Sequence, residues 1–132
     1  MSTFLDTSAF YAVLSKYDPN HPKAKDQWIS LIHEGEELVC TNYVLLETFS
    51  VVQKRLGLEV IRAFQDDIYP LLRIAWLDES QHRQAVAVLL TANRRGLSLV
   101  DCASFIAMHH LGLRAVFAFD PHFAEQGFDC IP

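Results

Sequence analysis

A chain of 132 residues, 51% apolar and 20% charged, has enough apolar material for one core and excludes a disordered or low-complexity protein. Its formal net charge of −5 argues against a general nucleic-acid coat, which would be basic, but leaves room for an enzyme whose acids are neutralised by cations. No apolar run reaches the roughly 18 residues that span a bilayer, and Met1-Ser2-Thr3-Phe4-Leu5-Asp6 has neither the basic start nor the apolar stretch of a signal peptide, so a cytoplasmic protein without membrane contact is expected.

Phe4-Leu5 opens as a short strand, and Asp6-Thr7-Ser8 turns it into a helix from Ala9 to Leu14. Asp18-Pro19-Asn20-His21-Pro22 is a break. Trp28, Leu31 and Ile32 stand at helical spacing between Lys23 and His33, and Gly35 stops that helix. Glu37 to Cys40 reads as a second strand. Thr41-Asn42 can cap a helix from Tyr43 to Leu56, which Gly57 ends. Leu58 to Tyr69 makes another helix, broken at Pro70, and Leu71 to Leu77 fits a third strand. Ser80 to Arg94 and Leu99 to Leu111 are helices stopped by Gly96 and Gly112. Ala115 to Phe119 is a continuous apolar strand, Asp120-Pro121 opens a last short helix, and Phe128 to Ile131 finishes as a strand. Apolar strands alternating with helices imply a parallel sheet covered on both faces: an α/β fold of three layers, with residues 1–132 as a single domain.

Cys40, Cys102 and Cys130 are odd in number and far apart, which suits buried free thiols rather than a disulfide framework or a zinc site. The cations Lys54-Arg55, Arg62, Arg73, Arg83 and Arg94-Arg95 read as solvated faces. His21, His33 and His82 read as surface residues, His109-His110 suit the end of their helix, and Trp28 and Trp76 read as core.

Four acids stand in telling places. Asp6 follows the first strand and Asp120 the fourth, and in open α/β sheets ligands bind at the carboxyl ends of strands. Asp101 starts the apolar helix that runs on through Cys102, and Glu47 lies in a helix apolar nearly all round, where an unpaired carboxylate would be costly. Taken singly, each Asp is explained as a helix cap, Ser98 and Asp101 having capping-box spacing, and Glu47 as a paired core acid. Gathered at one end of one sheet, four carboxylates would repel strongly. At about 5 Å a single pair costs roughly 3 kcal/mol at an effective dielectric near 20. Such a cluster must share protons or bind hard cations.

The ordered set Phe4-Leu5-Asp6-Thr7-Ser8, then Thr41-Asn42-Tyr43-Val44 with Glu47, then Leu97-Ser98-Leu99-Val100-Asp101-Cys102-Ala103-Ser104-Phe105, then Phe119-Asp120-Pro121-His122-Phe123 with Gly127-Phe128, resembles PIN-domain ribonucleases, especially the VapC-type group. The resemblance covers essentially the whole chain. It implies a central parallel five-stranded sheet, with Asp6, Glu47, Asp101 and Asp120 as both the catalytic and the metal-binding acids. It further implies Mg2+ or Mn2+ as cofactor and RNA as substrate, hydrolysed to a 3′-hydroxyl and a 5′-phosphate. A homodimer is implied, with the helix from Leu58 to Tyr69 and the Lys54-Arg55 segment as candidate interface, and so is a small antitoxin partner whose tail enters the site. Thr7, Ser8 and Ser104 lie where relatives often carry site hydroxyls, and His122 matches a family motif, so all four could support the acids from behind. Ser8 could instead cap the first helix, and Ser104 could bond back to its own helix. Proline after Asp120 departs from the polar or basic residue common in relatives.

Two other classes compete. A phosphatase with Asp6 as nucleophile would need a second Asp two residues on, where Ser8 stands. A PIN domain that binds RNA or a protein without cutting would be marked by a lost acid, and none is lost. A standalone RNA-processing nuclease is the remaining alternative to a toxin.

Overall fold

The computed structural model describes residues Met1–Pro132. Five strands, β1 (Ser2–Leu5), β2 (Glu37–Thr41), β3 (Leu72–Ala75), β4 (Ala115–Phe117) and β5 (Asp129–Ile131), form one parallel sheet in the order β3-β2-β1-β4-β5. The register pairs Phe4 with Val39 on one side and with Val116 on the other. From central β1 the chain runs outward to β2 and β3, then returns to the opposite side for β4 and β5. The sheet therefore reverses its winding between β1 and β4, and the crevice at such a switch point lies at the carboxyl ends of those strands.

The helices are α1 (Thr7–Leu14), α2 (His21–His33), α3 (Asn42–Leu56), α4 (Leu58–Ala63), α5 (Glu79–Ala92), α6 (Leu99–Leu111) and α7 (His122–Glu125), and they complete an α/β/α arrangement. None is long and apolar enough to cross a membrane. One cluster of 26 buried residues forms the core, with Phe4, Leu5, Val39 and Phe117 from the sheet fully enclosed. On one side, Phe64 meets Phe10 and Phe49 edge-on at 5.3 and 5.5 Å. On the other, Phe105 meets Phe123 edge-on at 5.2 Å and stacks against Phe128.

Several elements differ from what the residues suggested. The helix expected from Leu58 to Tyr69 ends at Ala63, loosens into a π-turn over Phe64–Ile68, and closes with a 3-10 turn at Tyr69–Leu71. Phe64 and Ile68 are buried in that turn, so packing of the two apolar side chains accompanies the wider backbone. β3 stops at Ala75, leaving Trp76 67% exposed rather than in the core. β4 is also shorter than its apolar run, ending at Phe117, although the Ala118 N–H still reaches the Ile131 carbonyl of β5 at 3.3 Å. Cys40 and Cys102 are buried thiols, but Cys130 is exposed on edge strand β5. His82 is half-buried and hydrogen-bonded to the Tyr43 hydroxyl, and His21 holds the Ala12 carbonyl at 2.7 Å, so neither is a free surface histidine.

Candidate metal centre

Asp6 leaves β1 with its backbone N–H donating to the Phe117 carbonyl at 3.1 Å, which keeps the strand end beside β4. It is the N-cap of α1: its carboxylate accepts the Ser8 N–H at 3.2 Å and the Ser8 hydroxyl at 2.6 Å. That hydroxyl in turn accepts the Phe119 N–H at 3.0 Å. Ser8 thus joins the acid after β1 to the segment after β4. Ser8 therefore helps cap α1, as its position after Asp6 allowed, and its hydroxyl also bonds the Asp6 carboxylate.

Asp101 is the third residue of α6 and closes a capping box with Ser98. Its carboxylate accepts the Ser98 N–H at 3.1 Å, and its own N–H donates to the Ser98 hydroxyl at 3.0 Å. Asp120 follows β4, and its carboxylate accepts the His122 N–H at 2.9 Å, folding the Asp-Pro-His turn that precedes α7. Asp120 lies one residue ahead of the helix cap, which is Pro121. Single ligating atoms of Asp101, Asp120 and His122 lie within 4.8 Å of one another.

The electrostatics follow from that crowding. Asp6 is 4% exposed and Asp101 6%. Burial, opposed by the two Ser8 hydrogen bonds and reinforced by Asp101 and Asp120, pushes the Asp6 carboxyl up to about 6. Asp101 is raised as well, by burial first and by Asp120, against the Ser98 hydrogen bonds and His122. For His122, burial works downward but is outweighed by the Gly96 carbonyl, Asp120, Glu125 and Asp101, so the imidazole is raised. No lysine or arginine stands within ion-pair distance of Asp6, Asp101 or Asp120. Acids crowded out of water without a fixed cation fit a hard divalent ion, and the donors are mostly carboxylate oxygens, which such ions prefer.

Glu47 behaves differently from its expectation. α3 is not buried all round: Leu46 is 71% exposed and Glu47 half-buried. Glu47 has no ion-pair partner and lies outside the close group of ligating atoms. It lines a groove with Leu46, Leu99 and Val100, the last two immediately before Asp101. Partial solvation removes the need for a cation beside it. Thr7 donates to the Val44 carbonyl and accepts from Thr48, both at 3.4 Å, which stitches α1 to α3. Ser104 bonds back to the Val100 carbonyl at 2.9 Å, the local alternative open to a serine within a helix. The contacts of His122 with Gly96, and the ion pair of Arg94 with Glu125, had no sequence signal beyond the i,i+3 spacing of His122 and Glu125.

The profile of the PIN domain family matches residues 3–129. The 23S rRNA-specific endonuclease VapC20 of Mycobacterium tuberculosis is 29% identical over 126 residues, covering 95% of this chain and 94% of that protein. Its crystal structure, described as that of a sarcin-ricin loop cleaving toxin, superposes with a TM-score of 0.85 at 28% identity over 97% of each chain. FitAcB from Neisseria gonorrhoeae shares the fold, with a TM-score of 0.73 at 19% identity over 98% of this chain and 96% of that one. A match that begins in β1, ends in β5 and includes every strand end bearing an acid leaves one assignment: the chain belongs to the PIN domain family.

Proposed function

We propose that the protein is a divalent-metal-dependent endoribonuclease acting as the toxin of a toxin–antitoxin pair. The observation that carries this reading is that Asp101 and Asp120 come together beside His122 at the carboxyl end of the sheet, that buried Asp6 stands near enough to feel both their charges, and that no lysine or arginine pairs with any of the three acids. Mg2+ or Mn2+ would be held by Asp6, Asp101 and Asp120, with Glu47 completing the set from α3 across its groove. When bound, the ion supplies positive charge that acidifies water and stabilises charge building on a phosphate. The protein's own part is positional. Ser8 and Ser98 hold two of the carboxylates, Thr7 fixes α1 on α3, and a carboxylate takes the proton as water attacks phosphorus. The bond to the 3′-oxygen then breaks, and that oxygen takes up a proton from solvent, leaving a 3′-hydroxyl and a 5′-phosphate.

Ribosomal RNA is the first substrate to try, because VapC20 is named for 23S rRNA. An antitoxin partner, a homodimer and a cytoplasmic setting complete the reading, and the chain works in it as one PIN unit. Exposed Leu46, Leu58 and Leu90 offer apolar surface for either kind of association.

The test is incubation of the protein, freed of any co-purified partner, with total RNA and with isolated 23S rRNA in Mg2+, Mn2+ or EDTA. Discrete metal-dependent cuts with 5′-phosphate ends, absent from a folded Asp6→Asn, Asp101→Asn variant, are expected. Intact RNA throughout, with metal bound, would exclude the nuclease and leave a binding module.

A further inference from the structure

His122 touches two of the three segments that meet at the centre, and it does so with different parts of itself. Its backbone N–H donates to the Asp120 carboxylate at 2.9 Å. Its ring Nε2 lies 2.9 Å from the carbonyl oxygen of Gly96, in the loop that leads into α6 and Asp101. A carbonyl only accepts, so Nε2 carries the hydrogen in this contact. On the ring's other side, Nδ1 is buried without a hydrogen-bond partner and faces Glu125 at 3.6 Å. Glu125 is itself bound to Arg94 at 2.7 Å. Two links, His122 to Gly96 and Glu125 to Arg94, therefore tie α7 to one short loop.

That loop needs tying. Residues 93–96 are exposed, lie between α5 and α6, and are held by two backbone bonds outside the helices, Asn93 N–H to the Leu89 carbonyl at 3.1 Å where α5 ends and Leu97 N–H to the Arg94 carbonyl at 3.2 Å. A loop with so few internal bonds opens readily. A divalent ion, by contrast, needs its ligands held to about 0.5 Å. Ser8 already joins Asp6 to the segment bearing Asp120, whereas no equivalent hydroxyl joins Asp120 to Asp101. His122 occupies that place.

We infer that His122 is a positioning residue that sets the separation of Asp101 from Asp120 by pinning the Gly96 carbonyl, with Arg94 and Glu125 reinforcing the same link. This rests on the proposed metal centre but not on the identity of the RNA. In such a role the imidazole tunes the grip on the ion, and its loss weakens metal binding by about 10- to 100-fold, the usual effect of removing a group that orients ligands. A residue that merely packs α7 would lower stability and leave metal affinity alone.

The experiment compares His122→Leu, which keeps bulk and removes the donor, with His122→Gln, whose side-chain amide can donate to Gly96. Mn2+ affinity is measured by calorimetry and by the electron paramagnetic resonance of free Mn2+, beside circular dichroism and thermal melts. His122→Leu should bind Mn2+ about 10- to 100-fold more weakly, and His122→Gln should recover most of that loss. If His122→Leu fails to fold, His122→Asn, polar but too short to reach Gly96, takes its place. Unchanged Mn2+ affinity in a folded variant without the donor, or an equal loss in His122→Gln, overturns the inference. Unmodified protein that binds Mn2+ yet leaves every RNA intact overturns the nuclease reading instead, and leaves the role of His122 to the same titrations.

Discussion

Asp6 ionises only against opposition, since burial and two neighbouring carboxylates push its carboxyl up to about 6 from an ordinary 3.8. The folded protein then holds that proton more tightly than the unfolded chain does. The stability this provides is present in full below about pH 4 and is lost as pH rises through about 6. At about 1.4 kcal/mol per pH unit, metal-free protein should lose roughly 3 kcal/mol across that window from Asp6 alone. Asp101 is displaced in the same direction and adds to the fall. Denaturant melts in EDTA between pH 4 and pH 7 measure the loss, and Asp6→Asn should flatten much of it. A variant as steep as the unmodified protein would put the pH dependence elsewhere. Divalent metal should act the opposite way, stabilising at pH 7 by roughly 2.7 kcal/mol when present at a hundred times its dissociation constant. That gain should shrink as pH drops toward 6 and Asp6 takes up its proton. A melting temperature indifferent to Mg2+ and Mn2+ at pH 7 would mean that the acids do not hold a hard cation.

Helix α6 brings capping and chemistry into one turn. Ser98 and Asp101 satisfy each other's backbone N–H groups, so the residue proposed to hold metal also starts the helix. Ser98→Ala should cost about 1 kcal/mol, as lost N-caps do, and should lower the melting temperature by a few degrees. A melting temperature equal to that of the unmodified protein would show the box to be idle. Such features are legible from residues alone because they are local: a Ser three places before an Asp, an Asp after an apolar run, a Gly where a helix stops. The alternation of apolar strands with helices is legible for the same reason. What the residues conceal depends on which neighbour covers which face. Glu47 looks buried in an apolar helix, but Leu46 beside it faces out and the pair lines an open groove. Trp76 looks like core until β3 ends one residue earlier, and the helix after Leu58 looks continuous until Phe64 turns in between Phe10 and Phe49. His122 looks like a motif residue, and only the returning loop at Gly96 shows what its ring holds.

Across the whole molecule, a net charge of −5 with buried acids concentrated at one end of the sheet sets up a field that repels RNA. Substrate binding and metal binding are then coupled through charge, because the ion reverses the local sign before a phosphate can approach. Without metal, RNA affinity should be poor, and neutralising an acid should improve it. Asp120→Asn removes one negative charge from the half-exposed acid of the group and leaves an amide oxygen to accept the His122 N–H. In EDTA at low salt, such a variant should bind an RNA fragment more tightly by roughly two- to tenfold, the scale of one unit charge a few ångströms from a phosphate in a partly screened site. In Mg2+ the order should invert: the unmodified protein binds and cuts, while the variant has lost part of its hold on the ion. Filter binding in both conditions, with cleavage blocked in the Mg2+ arm by RNA whose bridging 3′-oxygens are replaced by methylene groups, reads the crossing directly. Parallel affinities, with Asp120→Asn weaker in EDTA as well, would mean that Asp120 contacts RNA as a hydrogen-bond acceptor and that repulsion by the centre does not limit binding.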